Sequence, residues 1–154
     1  MRVVFVRHGK RQAKRRDPEL TPAGRSMARE TGEWLVKQGY SPTLICTTDT
    51  NRTRQTAEAI RSVLPHPVPV EVRALPELVR GWQKLVNDLT NDVGESTVVM
   101  VGHHPTTDML LATVPMDVPS ARIPKPVLVR GRYASALVLN GPPWLIVDVW
   151  PGRP

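Results

Sequence analysis

The sequence predicts an α/β fold: one domain over residues 1–154, a three-layer sandwich with a mainly parallel central sheet and helices on both faces. Three observations predict it. Strand-like and helix-like patterns alternate over the first two thirds of the chain, the rhythm of strand–helix–strand crossovers. The two most apolar strand runs, Val3-Val4-Phe5-Val6 and Thr97 to Val101, lack polar alternation, as strands covered on both faces do. A length of 154 residues holds one sizeable core and leaves little room for a second.

The elements follow in order. Arg2 to Val6 is continuous, β-branched and aromatic, hence a buried strand. A polar, basic loop runs on to Glu19. Thr21 then reads as an N-cap with Pro22 at the first helical position. The helix from Pro22 to about Gln38 offers Met27, Ala28, Trp34 and Leu35 for one face, and Gly39 stops it. Thr43 to Thr47 is a short strand. Thr50 or Asp49 caps a second helix, which carries Thr56, Ala57, Ala59, Ile60 and Val63 and ends before Pro65. His66 to Val72 is strand-like but proline-bearing, which places it at a sheet edge. From Pro76 to about Asn91 a third helix presents Leu78, Trp82, Leu85, Val86 and Leu89. Thr97 to Val101 is a strand, and a fourth helix begins near Pro105. Val114 to Pro126 is a proline-rich irregular connection. Ser135 to Leu139 and Trp144 to Val149 are strands joined through Asn140-Gly141, a hairpin signal.

Composition narrows the class. Hydrophobic residues make up 40% of the chain and charged residues 23%, the balance of a soluble globular protein. No apolar run approaches the ~20 residues of a membrane span. The first apolar run is too short for a secretory signal and charged residues follow it, so a cytoplasmic location is the expectation. The single cysteine, Cys46, has no partner for an internal disulfide and reads as a small buried hydrophobe. A net charge of +7 favours anionic partners without choosing among them. Much of it sits in Lys10, Arg11, Lys14, Arg15 and Arg16, which is either a solvated loop or a basic rim beside an anion site. Aromatic residues are 5% of the chain and none interleaves with this run, which argues against a base-stacking nucleic-acid platform.

In a parallel α/β sheet the active site lies at the carboxyl ends of the strands. The two most apolar strands end in Arg7-His8-Gly9 and Gly102-His103-His104-Pro105. A neutral imidazole is a nucleophile toward phosphorus near neutral pH. Arginine is the preferred clamp for phosphoryl oxygens, being planar, always charged and bidentate. Arg7 and His8 supply one clamp and the nucleophile. Arg52 or Arg54 supplies a second clamp, and His103 faces the phosphoryl oxygens. A metal site is not expected: adjacent histidines rarely share one ion, and no carboxylate stands at ligand spacing.

Together these segments resemble the histidine phosphatase superfamily, also called phosphoglycerate mutase-like. Arg7-His8-Gly9 is similar to its RHG signature. Leu20-Thr21-Pro22-Ala23-Gly24 resembles its Leu-Thr-x-x-Gly helix start. Arg52 to Glu58 resembles its Arg-Ala-x-Gln-Thr-Ala-Glu segment, and Gly102-His103-His104-Pro105 its strand-end Gly-His-x-Pro. Leu75-Pro76-Glu77-Leu78 is similar to the segment that carries its acidic residue. These matches cover roughly residues 2 to 112. The resemblance implies His8 as nucleophile, Arg7, Arg52 and His103 as phosphate ligands, with His103 also catalytic, and Glu77 as the general acid. It selects Arg52 over Arg54, since Arg52 stands three residues before Gln55. No cofactor is implied.

One departure stands out. Thr48-Asp49 occupies the place where the family usually has Ser-Pro, which keeps a hydroxyl but puts a carboxylate near the phosphate site. The chain also has no room for the lid insertion of larger members, because Leu75 to Glu77 leads directly toward the third helix. An open site suits hydrolysis better than a mutase, which must retain its intermediate. The resemblance is therefore to the small bacterial phosphohistidine phosphatases of the SixA type, with a phosphohistidine-bearing protein as expected substrate and partner. The alternatives are a phosphatase for a sugar, nucleotide or phosphoglycerate ester, and a non-catalytic phosphate-binding module of the same fold.

Overall fold

The structure is a computed structural model. It describes residues 1–13, 16–74, 80–93, 96–118 and 132–152, the side chains of 86 and 89–93 excepted. Six strands form one sheet: β1 (Arg2–Arg7), β2 (Pro42–Thr47), β3 (Val70–Val72), β4 (Thr97–Gly102), β5 (Ala136–Asn140) and β6 (Leu145–Trp150). Among the described residues four helices accompany them: α1 (Pro22–Lys37), α2 (Asn51–Arg61), α3 (Trp82–Val93) and α4 (His104–Thr113).

The strand order is β3-β2-β4-β1-β5-β6. β1, β2, β3 and β4 are mutually parallel, and β5 runs antiparallel to both β1 and β6. The sheet is thus mainly parallel, as the sequence predicts. The alternating side chains of each strand divide the core in two. Val3 and Phe5 of β1 pack with Trp82 and Leu85 of α3 and Leu110 of α4. Val4 and Val6 pack with Leu35 of α1 and with Ala57 and Ile60 of α2. Helices therefore cover both faces, and Cys46 is buried in β2.

Thr21 caps α1, accepting from Gly24 N at 3.0 Å. Gly39, at φ 75°, takes the left-handed conformation that ends the helix and that glycine adopts without steric cost. The buried face of α1 is smaller-grained than the sequence suggests. Gly24, Ala28, Thr31, Gly32 and Leu35 are buried, whereas Met27 and Trp34 are half-buried. A Cβ on Gly32 would run into Val63 and the Ile60 backbone of α2. Small residues are what allow this close approach.

Two boundaries differ from expectation. β3 is only three residues long, Val70–Val72, because Pro65, Pro67 and Pro69 remove ladder donors before it; it does lie at the sheet edge. Helix α3 starts at Trp82 rather than Pro76. Residues 75–78 lie outside the described residues, and Arg80-Gly81 form a turn and bend. The expected loop residues Lys14 and Arg15 and the proline-rich stretch beyond Val118 also fall outside. Before that point Met116 bridges to Ile146 beside the sheet. Among the described residues no helix is long and apolar enough to cross a membrane.

Candidate active site

The carboxyl ends of β1, β2 and β4 open into a cavity of about 760 Å³, whose lining includes Arg7, His8, Thr48, Arg52, His103 and Tyr133. The strand-end rule thus brings together the two histidines and two arginines expected from the sequence. Glu77 lies outside the described residues.

His8 is fixed by its backbone. Its N–H donates to Gly102 O at 3.0 Å, and its carbonyl accepts from Ala134 N at 3.2 Å. The residue is 5% exposed. His8 Nδ1 lies 2.8 Å from Gly9 O. A carbonyl only accepts, so Nδ1 carries the proton. Burial first, and then the charges of Arg52, His103 and Arg7, lower the His8 pKa to about 4, against a smaller opposing effect of the Gly9 hydrogen bond. The ring is therefore neutral at pH 7, with an unprotonated Nε2.

His103 caps α4 by position but not by side chain. Its ring is committed elsewhere. Nδ1 lies 3.3 Å from Arg52 Nη2, and since arginine only donates, Nδ1 accepts. Nε2 then carries the proton and donates to Thr48 Oγ1 at 2.9 Å. Thr48 in turn donates to Thr53 Oγ1 at 2.9 Å, and Thr53 donates to the carbonyls of Thr48 and Thr50. Burial and the neighbouring Arg52 charge lower the His103 pKa to about 4. The two histidine rings stand 5.6 Å apart, centroid to centroid.

The arginines are held but not saturated. Arg7 Cζ lies 4.4 Å from the Tyr133 ring centroid, a cation–π contact. Arg52 Nη1 is 3.9 Å from Asp17. Arg7 Nε and Nη1 and Arg52 Nε are buried and meet no hydrogen-bond partner among the described residues. Burial lowers the pKa of both guanidinium groups. Buried donors of this kind are costly to leave unmet, and an anion between them meets that need.

The sequence alternatives are also resolved. Thr50, not Asp49, caps α2, accepting from Thr53 N. Asp49 instead pairs with Arg54 at 2.6 Å, its side chain 76% exposed. This pairing turns Arg54 away and tempers the carboxylate that replaces the family's proline. Two residues of the matched helix segment tie the loops together. Thr56 Oγ1 accepts from Gly9 N at 2.9 Å, and Gln55 Oε1 accepts from Leu20 N at 2.8 Å. Tyr133 was not anticipated: it lies in no motif, and only the fold brings it to Arg7. Among the described residues no group of three or more His, Cys, Asp or Glu is placed to hold a metal ion.

A family model described as "Histidine phosphatase superfamily (branch 1)" matches residues 3–81, just over half of the chain. Solved structures share the fold. A protein histidine phosphatase SixA complexed with tungstate is 23% identical, at TM-score 0.70, over 91% of this chain and 88% of that one. A putative phosphohistidine phosphatase SixA from Agrobacterium tumefaciens is 23% identical, at TM-score 0.70, over 99% and 98%. A mycobacterial glucosyl-3-phosphoglycerate phosphatase in complex with VO3 is 22% identical, at TM-score 0.64, over 99% of both chains. No curated protein sequence matches the chain. The RHG triplet at the end of β1, the paired histidines and the family match over half the length lead to one conclusion: the chain belongs to the histidine phosphatase superfamily, branch 1.

Proposed function

We propose that the chain is a phosphatase that works through a phosphohistidine on His8, without a metal, and that its substrate is a phosphohistidine on a protein. The observation that carries this reading is the state of His8. Its ring is neutral, its Nδ1 proton is given to Gly9 O, and it stands between two arginines with unmet buried donors. Nε2 attacks phosphorus while Arg7 and Arg52 hold the equatorial oxygens, and His103, a phosphate ligand by the family resemblance, turns its Nε2–H from Thr48 to a phosphoryl oxygen. The P–N bond to Nε2 forms as the bond to the leaving group breaks. Water then attacks the same phosphorus, releasing inorganic phosphate and neutral His8. Glu77, assigned by the family resemblance, protonates the leaving group. An imidazole leaving group departs readily and asks little of that acid. The likeness to the two SixA structures supports the protein substrate. The roomy cavity and the likeness to a glucosyl-3-phosphoglycerate phosphatase support a small phosphate ester as the second reading.

The test is hydrolysis of p-nitrophenyl phosphate and a substrate panel. His8→Ala abolishes turnover, and Arg7→Ala and Arg52→Ala each lose at least ~2 kcal/mol of transition-state stabilisation. A chelator leaves the rate unchanged. On the same panel Glu77→Gln slows alkyl phosphates more than aryl phosphates or phosphohistidine. Turnover of small esters with none of a phosphohistidine protein would sink the protein substrate. A wild type inactive on every compound would point to a binding module.

A further inference from the structure

The cavity holds more positive charge than one phosphoryl group requires. Among the described residues five arginines line it and Asp49 is the only lining carboxylate, and Asp49 is already paired with Arg54. Arg7 and Arg52 flank His8. Arg11, Arg16 and Arg73 face the same space from the rim. Asp17 lies near Arg52 and Glu71 pairs with Arg73, so a phosphate monoester dianion offsets two of the remaining charges and still leaves net positive charge facing the leaving group.

Two of the three rim arginines have defined places. Arg73 follows the end of β3, where its N–H donates to Thr47 O at 2.8 Å. Its side chain is two-thirds buried, 33% exposed, and Nη2 pairs with Glu71 at 2.5 Å. That pairing fixes the guanidinium at the cavity wall. Arg11 bridges to Leu20, and the neighbouring Gln12 N–H donates to Glu19 O at 2.8 Å. Its charge reaches inward, since it acts against the protonated form of both Arg7 and Arg52. Gathering like charges around a partly desolvated space is unfavourable until anions fill it. A purely solvated rim would not place Arg73 two-thirds buried in the cavity wall.

We propose that Arg11 and Arg73 form a second anion subsite, so that the preferred substrate carries a carboxylate or phosphate on its leaving group. The proposal rests on the His8 site being the one that takes the phosphoryl group. The second anion has two sources: an acidic side chain beside the phosphorylated residue of a protein, or a second acidic group on a small ester. A neutral sugar monophosphate has neither.

The test separates the subsite from catalysis by measuring binding. The probes are 4-phosphonobutyrate and its amide, equal in size and resistant to hydrolysis, titrated by calorimetry. Wild type binds the carboxylate about two- to fivefold more tightly than the amide, the scale of one partly exposed ion pair. The ratio falls toward one in Arg11→Gln and in Arg73→Gln, while affinity for the amide changes little, and it also shrinks at high salt. Equal affinities in wild type overturn the subsite. A preserved ratio in both variants overturns its assignment to these arginines. Absent hydrolysis of p-nitrophenyl phosphate, with the ratio intact, removes the phosphatase reading and leaves the subsite standing. Turnover of phosphohistidine peptides with Asp or Asn flanks then identifies the source. A preference for Asp flanks assigns the subsite to a protein's acidic side chain. No preference there, with the butyrate ratio intact, assigns it to a small ester.

Discussion

His8 and His103 stand on adjacent strand ends, yet their hydrogen bonds set opposite tautomers. His8 gives its Nδ1 proton to Gly9 O, whereas His103 accepts at Nδ1 from Arg52 and donates from Nε2 to Thr48. His8 is left with a bare Nε2, the atom that attacks in the proposed mechanism, and the N–H of His103 is held by Thr48. In the proposed mechanism Thr48 is thus a positioning residue that acts through His103. Thr48→Val removes the acceptor for the His103 Nε2–H. The expected result is a fall in kcat of about five- to tenfold, the scale of one lost buried hydrogen bond, with recovery in Thr48→Ser. Ring nitrogen shifts in NMR should report a mixture of His103 tautomers in Thr48→Val and the Nε2–H form alone in wild type. An unchanged tautomer with an unchanged rate would remove Thr48 from the site. At this scale the sequence is readable where a residue's role follows from its place on an element. Arg7, His8 and His103 are strand-end residues, and Arg52 lies in the first turn after a cap. Tyr133 against Arg7 and Thr48 against His103 are not readable this way, because each contact spans a long sequence separation.

The elements converge on the site through close backbone contacts, and glycine marks them. Gly24, in the first turn of α1, sits against the backbone of Lys10, and a Cβ there would fall far inside van der Waals contact with the Lys10 carbonyl. The Lys10 carbonyl also accepts from Thr21 N at 2.9 Å, so the start of α1 is laced to the strand end that carries His8. Gly24→Ala therefore has to displace backbone rather than a flexible side-chain tip. We expect a loss of about 1–3 kcal/mol in stability, the range of overpacking a tight contact, together with reduced activity as the Arg7-His8-Gly9 turn shifts. Gly102 is the control: a Cβ there meets nothing within 4 Å, although it lies beside His103. Gly102→Ala should stay within about 1 kcal/mol of wild type. Urea denaturation of the two variants checks both statements, and equal stabilities would contradict the contact. The helix starts at Thr21-Pro22 and Thr50 were legible because caps are local chemistry. The start of α3 was not, since the apolar spacing around Leu78, Trp82 and Leu85 continues a helical pattern through Arg80-Gly81, where the backbone turns. The length of β3 was misjudged for a related reason: its β-branched residues alternate with prolines that keep the earlier ones off the ladder.

At the scale of the whole molecule, the fold buries two titratable rings beside fixed positive charge, and this couples the site to stability. Both histidines have a folded pKa of about 4, against about 6.5 in an unfolded chain. The sign follows from proton counts. Between these values the unfolded state binds more protons than the folded state, so stability rises with pH through the window. Above about pH 6.5 the contribution is fully present. It is lost as pH falls from about 6.5 toward 4, where each ring must either stay neutral in the fold or charge beside Arg7 and Arg52. Unfolding free energies measured by urea titration at intervals from pH 7.5 to 4.5 should fall with a slope approaching two protons. His8→Gln and His103→Gln should each flatten that slope by up to one proton, and the double variant should remove most of it. Inorganic phosphate should oppose the fall, because an anion between the arginines lessens the penalty on a charged imidazole. A double variant with the same slope as wild type would mean that the burial of these rings does not govern the acid sensitivity of the fold.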